Sequence, residues 1–316
     1  MEESPIVLLF VCAVAAVFLL AACAIVRLIL RRAGWMEKPS RGTQLAERIV
    51  LSLAGVGLLC FAYGYFVEPY WPEVTHVRIE SAKLAGATRA LRVVHISDLH
   101  CEPESRLEER LPDIITAERP DLIVYTGDSL NSPAGLPVLR KLLTRLATIA
   151  PSFAVRGNWD VWYWGKQELF GETGVRELSG EAVKVDVAGT SLWVAGVPYA
   201  ATDKISDALK GAPPDAFTIF LYHTPDEILK VAGTKRVDLY CAGHTHGGQV
   251  ALPVYGALIT FSKFGKKYES GLYREGATSL YVTRGVGMEG GSAPRVRFFA
   301  RPEVTAIELA PPPAPR

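Results

Sequence analysis

Leu91-Arg92-Val93-Val94-His95-Ile96-Ser97-Asp98-Leu99-His100 is the stretch from which the fold can be read. Its first six residues make a mostly apolar run of strand length, and Ser-Asp-Leu-His follows directly, so a carboxylate and an imidazole stand just past a strand end. The same texture returns twice. Asp121 to Tyr125 is a second apolar strand, ending in Thr126-Gly127-Asp128, and Ser152 to Val155 is a third, ending in Arg156-Gly157-Asn158-Trp159-Asp160. Between them, Arg106 to Arg119 and Pro133 to Ala150 carry helical spacing, the first through Leu107, Leu111, Ile114 and Ile115. Asp98 to Asp128 is 30 positions and Asp128 to Asn158 another 30, close to the length of a βαβ unit. Strands linked this way are parallel. They deliver Asp98, His100, Asp128 and Asn158 to one sheet edge, beyond the carboxyl ends where open α/β sheets bind ligands.

Further on, Glu181 to Pro198 reads as a hairpin about Gly189-Thr190, and Asp203 to Lys210 as a short helix. Phe217 to Tyr222 is a strand ending in His223, and Val237 to Ala242 another, leading into Gly243-His244-Thr245-His246-Gly247-Gly248-Gln249. Glycine lets the backbone take positive φ and approach a ligand closely, and neutral imidazole is the commonest metal-ligating side chain. Taken alone, His-Thr-His fits a polar turn equally well; the acidic and amide residues upstream favour the metal reading. From Val250 to Leu309 short strands alternate with glycine-containing turns, as expected of a second sheet closing the fold. The Pro-rich stretch 310–316 reads as a frayed tail.

The front of the chain has a different texture. The 316 residues are 49% hydrophobic with a formal charge of +1, which gives no nucleic-acid footprint. Ile6 to Val26 is apolar without a charge and Ile49 to Val67 is a second such run, each near the ~20 residues a helix needs to span a bilayer. A buried core helix is the rival for the second run, and a signal peptide for the first. The signal peptide fits poorly, because Glu2 and Glu3 stand where basic residues belong. Arg27, Arg31, Arg32, Lys38, Arg41 and Arg48 lie between the runs against Glu37 and Glu47, which reads as a cytoplasmic loop and places the rest of the chain outside. The expected domains are a membrane hairpin over 1–72 and a catalytic domain over 73–309. Of the five cysteines, Cys12, Cys23 and Cys60 lie in the apolar runs, while Cys101 and Cys241 flank histidine motifs. For these two, buried free thiols are expected rather than a disulfide.

Asp-x-His at 98–100, Gly-Asp at 127–128, Gly-Asn at 157–158, the lone His223 and Gly-His-x-His at 243–246 together resemble the calcineurin-like metallophosphoesterases, from about Leu91 to Leu309. The end of the chain, Tyr281 to Gly287 and Arg297 to Glu303, is similar to a membrane- or envelope-associated branch that includes enzymes resembling UDP-2,3-diacylglucosamine hydrolases. The resemblance implies a four-layer α-β-β-α sandwich of two mixed sheets, here preceded by two transmembrane helices. It also implies two divalent metal ions, manganese, iron or zinc, with manganese favoured. One ion would take Asp98, His100 and His246, the other Asn158, His223 and His244, and Asp128 would bridge them. A mixed N/O donor set suits such ions. A pair of them can lower the pKa of water and clamp the reacting oxygens of a phosphoester. Asp160 fits either a carboxylate orienting a ligand or water from behind or a solvated surface residue. His95 is expected to pack within its strand.

The sequence departs from the family at one position. Many members read Gly-Asn-His, and that histidine is thought to protonate the leaving group; this chain has Trp159. Proton donation must come from another group or be unnecessary, so phosphoanhydrides and activated diesters are expected to be better substrates than alkyl monoesters. Trp159, with Trp162, Tyr163 and Trp164, fits either a loop anchor or a lip for an acyl chain and the bilayer. Lys263, Lys266 and Lys267 fit either a solvated loop or an attraction to anionic lipid. The expected activity is hydrolysis of a phosphodiester or pyrophosphate in a lipid-linked substrate, with UDP-2,3-diacylglucosamine of the lipid A pathway the specific candidate. That candidate conflicts with an outward-facing domain, for which phospholipid or other envelope esters fit better. A catalytically weak metal-holding sensor is the alternative of another class, and the seven retained ligand-type residues argue against it.

Overall fold

The computed structural model describes residues 5–290 and 294–313, and the chain divides after Val67 into two compact units. In the first unit, α1 (Pro5–Arg32) and α2 (Arg41–Phe66) are continuous helices, about 42 and 39 Å long at 1.5 Å per residue. Ser40 starts α2 by accepting the Thr43 N–H on its side chain. Arg31 grips Glu47 with two bonds of 2.7 and 2.8 Å, and Gly57 lets the Phe18 ring approach α2. Both helices are long and apolar enough to cross a membrane. The side chains of Leu53, Val56, Leu58, Leu59 and Phe61 are exposed.

The second unit opens with β1 (Glu73–Glu80) and β2 (Leu91–Ile96). Then follow α3 (Leu111–Ala117), β3 (Leu122–Tyr125), α4 (Leu136–Ile149), β4 (Ser152–Ala154), α5 (Asn158–Trp162) and β5 (Arg176–Glu177). Next come β6 (Glu181–Val187), β7 (Thr190–Gly196), α6 (Ile205–Lys210), β8 (Thr218–Leu221), α7 (Ile228–Gly233) and β9 (Leu239–Ala242). A small hairpin of β10 (Ala251–Leu252) and β11 (Gly256–Ala257) leads to β12 (Gly271–Glu275), β13 (Thr278–Val282) and β14 (Glu303–Ala310).

Two mixed sheets result. One runs β1-β14-β2-β3-β4-β5 and the other β12-β13-β9-β8-β7-β6. Strands β2, β3, β4 and β5 are parallel, as the 30-residue rhythm requires, and so are β7, β8, β9 and β13. Side chains alternate along these strands, so each sheet buries both faces. Leu91, Val93, Leu122, Val124, Ile219, Leu221, Leu239 and Cys241 meet between the sheets. Val94, Ile96, Ile123 and Tyr125 pack outward against Leu111, Ile115, Leu139 and Leu143 of α3 and α4. Phe220, Tyr240 and Ala242 pack against Ile205, Leu209, Ile228 and Val231 of α6 and α7. These three cores make four layers, helix, sheet, sheet and helix, with each fully buried large apolar side chain contributing roughly 1.5–3 kcal/mol.

The structure differs from the sequence reading in several local details. α3 begins at Leu111 rather than near Arg106, because Glu108 turns back to accept the Arg106 and Leu107 N–H groups. The last strand does not join the second sheet. β14 inserts in the first, parallel to β1 and antiparallel to β2, and it includes Ala310; of the tail, 311–313 lack regular structure and 314–316 lie outside the described residues. Glu68, directly after the second apolar run, is buried and accepts the Phe299 and Ala300 N–H groups. Cys101 and Cys241 are buried and free.

Candidate metal centre

The carboxyl ends of β2, β3, β4, β8 and β9 meet at one edge of the sandwich, and six of the seven predicted ligand residues gather there in two triads. Asp98, His100 and His246 form one, Asp128, His223 and His244 the other, with donor atoms within 4.8 Å of one another in each. Asp128 links the triads, its Oδ2 lying 3.2 Å from His223 Nε2 in its own and 3.7 Å from His100 Nε2 in the other. On the other side, Asp98 Oδ1 is 3.4 Å from His246 Nε2 and 3.9 Å from His223 Nε2. The seventh residue, Asn158, begins α5 between Gly157 and Trp159, and Trp159 donates its backbone N–H to Asp128 Oδ1 at 2.8 Å.

Strain is concentrated in these residues. Asp98, His100, Asp128, His244 and His246 all have positive φ, between 44° and 73°, a conformation costing a non-glycine residue about 1–3 kcal/mol. The neighbouring glycines are there to leave space. A Cβ on Gly157 would stand 2.2 Å from Asp128 Oδ1, and one on Gly243 2.2 Å from Asp98 Oδ2. The backbone is therefore bent and stripped of side chains so that carboxylates and imidazoles can converge.

Hydrogen bonds behind the imidazoles fix which nitrogen faces inward. His223 Nδ1 bonds the Thr126 carbonyl at 2.7 Å and must be the donor, so in the neutral ring Nε2 carries the lone pair. His100 Nδ1 faces Asn131 Oδ1 at 3.0 Å, and that amide is oriented because its nitrogen donates to the Met288 carbonyl. His100 Nε2, His223 Nε2 and Asn158 Oδ1 are buried with no hydrogen-bond partner among the described residues. Buried polar atoms are rarely left so, and unbonded nitrogen and oxygen donors of this kind beside two carboxylates are of the types a divalent cation takes.

The electrostatics agree. Burial pushes the Asp98 carboxyl up to about 7, against the pull of His223, while Asp128 further raises it. Burial opposes charge on His223 too, but Asp128 and then Asp98 outweigh it and carry the imidazolium to about 9. Asp128 stays below the ordinary carboxylate range, because His223 and His100 overcome its burial. Burial lowers His100 and His244 to about 4. Two protons thus occupy Asp98 and His223 where a cation would supply the positive charge.

Asp160 lies behind the triads. It is fully buried, and its carboxylate accepts the N–H groups of Gly157, Asp128 and Ser129 at 2.8–2.9 Å. One side chain thereby ties the β3 and β4 loops together and caps α5 at its start. His95 packs in β2, bonding Thr126 Oγ1 at 2.8 Å. His76 lies away from the site, paired with Glu118. The three lysines do not form a free cationic patch, since Lys263 meets Glu227, Lys266 meets Glu269 and Lys267 meets Glu275. Trp159 sets its ring edge-on to His100, with 5.2 Å between centroids. Trp162 and Tyr163 beyond it are 58% and 59% exposed. Among the residues given no role in advance, Asn131 orients His100, while Arg297 is wholly buried with Nη2 3.3 Å from His246 Nδ1. Glu289 accepts the Trp159 indole N–H at 3.4 Å.

Comparison with known proteins agrees with this arrangement. The family model for calcineurin-like phosphoesterases matches residues 91–248. The uncharacterized metallophosphoesterase YkuE of Bacillus subtilis is 33% identical over 87% of this chain and 99% of its own length. The phosphodiesterase YaeI of Escherichia coli is 31% identical over 79% of this chain and 92% of its own. A transmembrane protein with metallophosphoesterase domain from Danio rerio is 30% identical over 89% of this chain and 68% of its own. The chain belongs to the calcineurin-like phosphoesterase family, whose members are metal-dependent hydrolases of phosphoric esters.

Proposed function

We propose that the chain is a membrane-held phosphodiesterase acting on a lipid-linked phosphodiester or pyrophosphate through two divalent cations, with manganese favoured. Asp98, His100 and His246 would hold one cation, Asn158, His223 and His244 the other, and Asp128 would serve both. The observation that carries this reading is the convergence of the two triads on Asp128 with inward nitrogens left unbonded. When bound, such a pair offsets charge on the phosphoryl oxygens and lets water act as nucleophile at neutral pH.

The chain's own residues supply the rest. Thr126 and Asn131 hold two imidazoles in register, Asp160 holds the loops, and Trp159 walls one side of the cluster. The exposed rings of Trp162 and Tyr163 beside that wall suit an acyl chain better than a wholly polar substrate. The two apolar helices support a membrane location, as do the relatives named as transmembrane proteins. The phosphodiesterase YaeI supports a diester bond as the target. UDP-2,3-diacylglucosamine-like conjugates are the first substrate candidate. Phospholipids and other envelope esters are the second, favoured by the basic residues between the two helices.

The full-length protein, purified and loaded with manganese, should hydrolyse UDP-2,3-diacylglucosamine or a phospholipid diester. EDTA should lower the rate by about 10²-fold or more, and added manganese should restore it. Activity that survives chelation, or that is confined to soluble monoesters, would contradict the proposal.

A further inference from the structure

We propose that Glu289 is the proton donor to the leaving group, a role that rests on the phosphodiesterase reading above. An alkoxide leaves a phosphoester poorly unless its oxygen is protonated as the bond breaks, and a positioned acid supplies that proton. The side chain at the mouth of the cluster, Trp159, has no proton to give. It does lead to one that can. Trp159 is fixed at its backbone to Asp128 Oδ1 and at its ring to His100, and its indole N–H ends on Glu289 Oε1 at 3.4 Å.

The loop carrying Glu289 is itself built onto the triads. Val286 and Gly287 donate their N–H groups to the Ser97 and Asp98 carbonyls. A Cβ on Gly287 would fall 2.2 Å from the Leu99 carbonyl oxygen, so only glycine permits this approach. Glu289 N–H reaches Gln249 Oε1 at 2.8 Å, and Gly290 N–H reaches at 3.2 Å the same Asn131 oxygen that meets His100. The backbone at Glu289 is thus held against the loops that carry Asp98, Asp128 and His246, and its carboxyl meets the Trp159 indole.

Its surroundings favour the acid form. Burial raises the Glu289 carboxyl; the Trp159 indole N–H pulls it back down, the charge on Asp128 raises it again and His223 opposes it, and burial wins. The nearby guanidinium of Arg295 is engaged by Glu102. The other acids are committed elsewhere: Asp98 and Asp128 to the triads, Asp160 to three backbone N–H groups, and Asp226 to Ser262 and Lys263. Tyr163, whose ring lies 5.0 Å from that of Trp159, is the rival donor.

The step balances without a further reactant. A water oxygen bonds to phosphorus and releases one proton to solvent, and the bond from phosphorus to the leaving oxygen breaks with its electron pair on that oxygen. The oxygen takes the proton from Glu289, which regains one from solvent.

The test compares a p-nitrophenyl phosphodiester, whose leaving group departs unprotonated, with an alkyl diester of glycerol, in the manganese-loaded full-length chain. In Glu289→Gln, which keeps an oxygen for the Trp159 indole, the ratio of kcat/KM for the aryl ester to that for the alkyl ester should rise by about 10²-fold or more. Glu289→Asp should recover part of the shift, and Tyr163→Phe should leave the ratio at the wild-type value. A role confined to holding the loop would lower both rates together. A ratio in Glu289→Gln equal to wild type, or one that moves in Tyr163→Phe instead, overturns the inference. A wild-type chain that cleaves neither ester would refute the phosphodiesterase reading first, and this inference with it.

Discussion

Asp128→Asn should lower kcat/KM for a phosphodiester by about 10³-fold or more at saturating manganese. The substituted amide keeps an oxygen to accept the Trp159 backbone N–H, so the α5 turn has no reason to unravel. What is lost is the negative charge that Oδ2 presents to both His223 and His100. Asp128 belongs to one triad and reaches an imidazole of the other, so in the proposed two-cation centre both ions would bind less tightly. Steady-state kinetics alongside metal analysis checks the prediction. A variant within about tenfold of wild type would mean that the two triads do not work as one centre.

The second large effect is on metal affinity as a function of pH. A cation must displace the proton that burial keeps on Asp98 up to about pH 7 and the proton that Asp128 keeps on His223 up to about pH 9. Each proton released makes affinity fall about tenfold per pH unit on the acid side of its titration. Manganese should therefore bind at least about tenfold more weakly for each unit from pH 7 to pH 5. The sign for stability follows. Both pKa values are raised, so the metal-free fold gains from these protons at low pH and loses that gain as pH rises, through about 7 for Asp98 and about 9 for His223. The rise in melting temperature on adding manganese should accordingly be larger at pH 8 than at pH 6. A pH-independent affinity measured by calorimetry would show that the ion does not displace protons from Asp98 and His223.

The parts of this site that could be read from the sequence are those set by local periodicity. Three apolar strands with helices between them fix where Asp98, Asp128 and Asn158 fall, because a parallel strand pair needs a crossover of that length. His223, His244 and His246 follow two further strands and were legible for the same reason. Arg297, Glu289 and Asn131 were not. Each acts through a loop with no repeating pattern, and each reaches a partner far away in sequence, as when Asn131 bonds the Met288 carbonyl 157 positions on. Nothing near Glu289 in sequence marks it as an acid of the site. Only the indole that replaces the family's histidine points to it, and only in three dimensions. The placement of β14 was hidden similarly, since an eight-residue strand buried on both faces fits either sheet until its neighbours are known. Asp160 lay between, legible as a carboxylate near the site but not as a clamp on three N–H groups.

The most direct test of the account is to locate the cations by anomalous scattering from crystals of the manganese-loaded full-length protein. Two peaks about 3.5–4 Å apart are expected, one among Asp98, His100 and His246, the other among Asn158, His223 and His244, both within reach of Asp128. A single ion bound elsewhere, or seven side chains with no ion among them at saturating manganese, would contradict it.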